Sequence, residues 1–263
     1  MRVHFLDPYI EGRSLIHRLD ARIKLLLVVA FILTTALTPQ GAWPVYVLLL
    51  ALAVAVEIVS ELGIGFYLKR AILAAPFILA AIPVLFTIPG PTLVQLPFDL
   101  AISSAGVVRF ASIAVKSWIS VQMAIMLAST TPFPSLLMAM RALRMPRLLV
   151  AVISLMWRYL FVMVDEALRM LRARDARSAH SELPGFRTGG SLTWRAKITG
   201  GMAGSLFLRS LERSDRIYNA MLARGYDGEV RSLPQPAIRP GEWLALMIGL
   251  LLSASLLALS YGF

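Results

Sequence analysis

Apolar runs long enough to cross a bilayer recur along this chain, and that pattern excludes most of what 263 residues could otherwise fold into. Leu25 to Leu37 is the shortest, reaching about 20 residues only if its flanks are counted, and a Thr-Pro-Gln-Gly turn follows it. Trp43 to Val56 resumes at once, with Trp43 and Tyr46 placed for a membrane interface, and ends at Glu57. Ala71 to Ile88 contains Pro76 and Pro83, which predict a kink. Val107 to Ser129 is the fourth run and Trp243 to Tyr261 the last. With 58% hydrophobic and 16% charged residues, the composition is that of a membrane protein. The fold class expected is an all-α integral membrane protein with about five transmembrane helices.

The net charge of +11 would suit nucleic acid if it were spread over the chain. It is gathered instead: between Met140 and Pro240 there are 17 Lys and Arg against 8 Asp and Glu. That concentration follows the positive-inside bias, marks a cytoplasmic segment and leaves no need for a nucleic-acid partner. Residues 89–106 carry three prolines, one acid and no base, as an outer loop should. The expected order is a cytoplasmic lead over 1–24, four transmembrane helices over 25–129, a cytoplasmic domain over 130–240 and a final transmembrane helix over 241–263. The amino terminus then lies in the cytoplasm and the carboxyl terminus outside. No removable signal peptide is expected, because acids are mixed with the bases of the lead and no small-residue cleavage site precedes the first run. Cysteine is absent, which removes disulfides and thiolate metal sites.

Within the basic segment, Pro132 and Pro134 lead into a short amphipathic piece, Ser135 to Leu143, which Met145-Pro146 breaks. One helix can then run from Arg147 to about Ser178, roughly 45 Å. Its first half is apolar enough for a span, but Arg158, Asp165 and Glu166 argue against a lipid-exposed crossing, so a long helix at the inner surface is expected. Ser181 to Ser191 is a loop, and a second long helix starts near Trp194. In it Leu206, Leu211, Ile217 and Met221 or Leu222 fall near one face, with Arg209, Glu212, Arg213, Asp215 and Arg216 on the other. It stops at Ala223-Arg224-Gly225, where Gly225 can adopt the left-handed conformation and Arg224 suits the negative end of the macrodipole. A plain surface helix and a docking tip both fit that ending. Gly200 and Gly204, four apart, either let another helix approach closely or are a chance pair.

Catalytic chemistry is hard to find. No glycine-rich phosphate loop ends in Lys and Ser or Thr, and no serine sits in a nucleophile elbow. His4, His17 and His180 lie far apart with no helical partner, so no metal site is expected. Arg109 can snorkel to the outer surface, while Lys116, two turns deeper, either packs inward or faces a polar neighbour. Met123, Met126, Met138, Met140, Met156, Met163 and Met170 would suit a surface that rearranges against a partner, or simple gap filling.

Four stretches carry a likeness: SLIHRLDARIKLLL, TTPFPSLLMAMRALRMPRLL, LMWRYLFVMVDEALRMLRARDARS and FLRSLERSDRIYNAMLARGYDGE. They resemble the transmembrane T component of energy-coupling factor (ECF) transporters, in particular its cobalt-type, CbiQ-like branch. The resemblance implies a coupling domain of two long crossed cytoplasmic helices and one short one, each long helix ending in an Ala-Arg-Gly type motif that docks in a groove of one ATP-binding subunit. Ala223, Arg224 and Gly225 match the second motif; Ala176, Arg177 and Ser178 match the first with Ser in place of Gly, and Arg174 is the fallback. It further implies two ATP-binding cassette subunits and a substrate-capturing S component as partners in a bacterial inner membrane, with ATP and Mg held by the partners and no cofactor on this chain. Cobalt is the first choice of cargo, nickel the second and a vitamin the third.

Two other readings stay open at this point. A free-standing channel or secondary carrier would use Lys116 and neighbouring polar groups, and a lipid-acting enzyme would have to use Arg158, Asp165 and Glu166.

Overall fold

The computed structural model describes residues 8–89, 91–95, 101–177, 191–228 and 237–262. The chain packs as two units, one made of 1–143 with 235–263 and the other of 144–234.

The first unit begins with a single turn, α1 (Leu15–Arg18), and α2 (Ala21–Leu37), whose N-cap Asp20 accepts the Arg22 amide at 2.8 Å. α3 (Trp43–Val59) opens on Pro44, which has no amide to leave unsatisfied in a first turn. The third apolar run is broken as its prolines predict: α4 (Ile64–Ala71), a 3-10 turn over Ile72–Ala74, α5 (Ala75–Ala80) and α6 (Val84–Thr87). It starts earlier than its hydropathy suggests. Gly63, at φ +83°, turns the chain into α4, whose last turn holds Lys69 and Arg70, with Arg70 over the Phe66 ring at 4.1 Å.

The expected outer loop holds a two-stranded antiparallel ladder, β1 (Thr92–Gln95) with β2 (Ala101–Ser103). α7 (Ser104–Thr130) follows, capped by Ser103, whose hydroxyl accepts the Gly106 amide at 2.9 Å and donates to the Ile88 carbonyl at 2.7 Å. Gly106 is required there, since a Cβ would stand 2.7 Å from the Leu85 carbonyl oxygen.

α8 (Phe133–Ala142) packs on α2 and buries Leu137 and Ala139. It therefore clusters with the apolar helices and not with the basic segment, because its apolar stripe finds a partner on α2. The second unit holds α9 (Arg147–Arg177) and α10 (Leu192–Ala223), which pack against each other. α11 (Pro240–Ser260) returns to the first unit along α2 and α3.

The core of the first unit gathers Val28, Phe31, Val45, Leu49, Ala53, Tyr67, Ile119, Met123 and Met126. Met123 and Met126 thus fill gaps, whereas Met138, Met140 and Met156 are exposed. Among the described residues, four stretches are long and apolar enough to cross a membrane: Ile64–Thr87, Ser104–Thr130, Arg147–Arg177 and Pro240–Ser260. α2 and α3, at 17 residues each, sit at the short end of what a bilayer needs. By length and composition alone α9 also qualifies as a span, where the sequence suggests a surface helix.

Candidate docking ends of α9 and α10

Ser191 starts α10 by accepting the Trp194 amide at 3.2 Å. At the other end the Gly225 amide donates to Leu222 O (2.9 Å) and the Tyr226 amide to Met221 O (3.0 Å), with Gly225 at φ +80°. This crossed pair of bonds is the Schellman closure, and it needs a residue free of Cβ strain at Gly225. Ala223, Arg224 and Gly225 are all exposed. Among the described residues the Arg224 guanidinium has no ion-pair or hydrogen-bond partner.

α9 ends less distinctly. Ala176 and Arg177 occupy its exposed last turn, and Ser178 lies outside the described residues. Arg174, the alternative tip, donates from Nε and a terminal nitrogen to Asp175 Oδ1 at 3.1 and 2.8 Å. Its guanidinium is engaged on its own helix, and Arg177 is the exposed one of the two.

A carboxylate ties the two helices together. Glu166 accepts from Arg169 one turn on and from Arg209 of α10 at 2.8 Å, and the three border a cavity of about 560 Å³ that Trp194, Arg174 and Arg177 also line. Glu166 is thus a linking group, while Arg158 and Asp165 are exposed, so the acid pair proposed for lipid chemistry does not converge.

α10 carries a half-buried stripe that includes Met202, Leu206, Ile217 and Met221, of which Met202 borders the cavity shared with α9. Leu211 and Leu222, expected on that stripe, are exposed, whereas Arg213, expected on the charged face, is half-buried with one guanidinium nitrogen unpartnered. A long arginine stem can lie along apolar surface, which is how a residue of the charged face comes to be half-buried. A Cβ built at Gly200, Gly201 or Gly204 meets no atom within 4 Å, so no close helix crossing is made at Gly200 and Gly204 among the described residues.

Inside the first unit Lys116 is spoken for. Its ammonium donates to Ala36 O at 3.2 Å and to Thr38 O, closing the C-terminal end of α2, and stands 5.9 Å from the centre of the Tyr46 ring. His17 hydrogen-bonds to Ser14 Oγ at 2.7 Å and Ile10 O at 3.2 Å, and His4 and His180 lie outside the described residues. Among the described residues no three metal-ligating side chains gather.

The family model described as CbiQ, cobalt transport protein, matches residues 12–236. The chain belongs to the CbiQ family. A cobalt transport protein CbiQ of Salmonella typhimurium is 31% identical over 51% of this chain and 55% of its own length. An energy-coupling factor transporter transmembrane protein EcfT of Listeria innocua is 28% identical over 87% of this chain and 86% of its own. An uncharacterised protein of Methanocaldococcus jannaschii is 23% identical over 98% of this chain and 87% of its own. The family match spans α1 to α10, so it covers both units and both candidate tips. As a CbiQ-family chain with this run of apolar helices, the protein is a multi-pass membrane component of a transporter.

Two buried groups in this CbiQ-family fold escaped the sequence reading. Lys24, 3% exposed, donates to Thr130 O at 3.0 Å, and Glu57, fully buried, has both carboxylate oxygens unpartnered among the described residues. Both flank apolar runs, where a charged residue ordinarily marks the water boundary, so nothing in the sequence separated them from end markers.

Proposed function

We propose that the chain is the energy-coupling T component of an ECF-type ABC importer. The unit 144–234 lies on the cytoplasmic side, where its surplus of basic residues belongs. Arg224, and Arg177 at the end of α9, each dock in one of two ATP-binding cassette subunits, which supply ATP and Mg. ATP binding draws those subunits together, the helix ends move with them, and the exposed apolar residues of α9 and α10 turn a substrate-capturing S component so that its cargo is released inward. The chain has no catalytic role in this scheme. Cobalt is the favoured cargo, since the family and a relative are named for cobalt transport, with nickel next.

The observation that carries this reading is the end of α10: a fixed glycine turn that leaves a guanidinium exposed and unpaired among the described residues. Such a group suits a bidentate bond to a carboxylate of a partner groove, which lysine could not reproduce. The channel reading loses its main candidate, since the Lys116 ammonium is occupied by two backbone carbonyls.

The test is coexpression with the ATPase and S subunits. Arg224→Ala is expected to insert normally into the membrane yet lose copurification of an ATPase subunit, and Arg224→Lys to restore it poorly. Unchanged complex recovery and unchanged cobalt uptake in Arg224→Ala would overturn the proposal.

A further inference from the structure

The first unit contains a second cavity of about 560 Å³, walled by α2, α3, α7 and α11 with Ile16 of α1 and Leu19. Its lining is apolar except for Lys24 and Ser253, and Ser253 already donates its hydroxyl to Gly249 O at 2.8 Å. Lys24 is different. Its ammonium makes one hydrogen bond, to Thr130 O, among the described residues, which leaves two of its three protons unused in a group only 3% exposed. The acids near it are engaged: Asp20 caps α2 and pairs with Arg22, and Glu242 accepts the amides of Asp20 and Arg239.

The charge is at one end of the cavity. The Asp20 amide bond to Glu242 sets the first turns of α2 and α11 side by side, and Lys24 and Ala245 lie in or next to those turns. From there the walls run inward to Phe31 on α2 and Ser253 on α11, eight residues from Ala245 and so about 12 Å deep. Apolar along its length, with a buried cation at one end that has two protons unused, the cavity fits flexible hydrocarbon carrying a negative headgroup.

We infer that this cavity is a binding site for an anionic membrane phospholipid, its acyl chain between α2, α3, α7 and α11 and its phosphate on the Lys24 ammonium. The bilayer supplies the occupant, and the apolar walls contribute the larger part of the binding because they remove hydrocarbon from exchange with bulk lipid at a fixed shape. Lys24 contributes selection for negative headgroups through a charge-assisted hydrogen bond. A lipid held there also fills the space beside α11 and so bears on how that helix seats against α2.

The experiment takes the full chain in mild detergent, strips its lipid and titrates phosphatidylglycerol against phosphatidylcholine by native mass spectrometry. The wild type is expected to hold one phosphatidylglycerol and to prefer it by about tenfold, the scale of one charged hydrogen bond. Lys24→Gln, which keeps a donor for Thr130, is expected to bind both lipids alike; Lys24→Arg to keep the preference; Ala245→Phe, which fills the cavity mouth, to bind neither tightly. Equal affinity for the two lipids in the wild type, or binding indifferent to both Lys24→Gln and Ala245→Phe, would overturn the inference. So would a cross-link from Leu252→Cys to a copurified subunit in place of lipid.

Discussion

Lys116 shows how a charge deep in an apolar run is accommodated. A helix C-terminus leaves carbonyls without partners, and in α2 the turn after Leu37 leaves Ala36 and Thr38 in that position; the ammonium of a neighbouring helix answers both. Lys116→Met is therefore expected to cost about 1.5–3 kcal/mol, the range of a hydrogen bond to a charged group, and to appear as a lowered Tm in detergent. Glu57 is the opposite case. Neither of its oxygens has a described partner to lose, so Glu57→Gln, of nearly the same shape, is expected to leave that Tm unchanged or raise it. A clear drop would mean that the carboxylate is held by something the described residues do not include.

The elements differ in how openly the sequence declares them. α7, α8, α9 and α10 start and stop within a few residues of where periodicity, prolines and the Ala-Arg-Gly ending put them, because each boundary carries its own local chemistry. α4 does not, since Lys69 and Arg70 look like a flank until the cation on Phe66 is seen. The strands β1 and β2 are hidden for another reason: strands of four and three residues are too short to show a period. The candidate site was legible at Arg224 and Gly225, where local backbone chemistry fixes the outcome, and illegible at Glu166, whose partner Arg209 lies on another helix. Gly225→Ala is expected to strain the closing turn by roughly 1–2 kcal/mol, as any Cβ does at positive φ, and to reduce ATPase recovery while the rest of α10 persists. Glu166→Gln is expected to loosen α9 from α10. In this cysteine-free chain a Met170→Cys, Met202→Cys pair across the cavity would report that as a lower disulfide yield, and added salt would lower the yield in the parent but not in the variant.

For the molecule as a whole, the open question about α9 has a single discriminating measurement. If α9 lies along the inner surface, a Ser191→Cys label reacts only from the cytoplasm, whereas a Tyr261→Cys label reacts from outside; if α9 crosses, Ser191→Cys is found outside and the basic segment is split. The first result is expected. The first unit is also discontinuous in sequence, since α11 joins α2 only after the whole of 144–234 has intervened. About 200 residues separate Leu37 from Pro240, so at ordinary translation speeds α2 waits roughly 10–40 s for its neighbour to emerge from the ribosome. During that interval the first helix of the bundle has a bare flank, and whatever shields it in the insertion machinery must let go only when the last helix arrives.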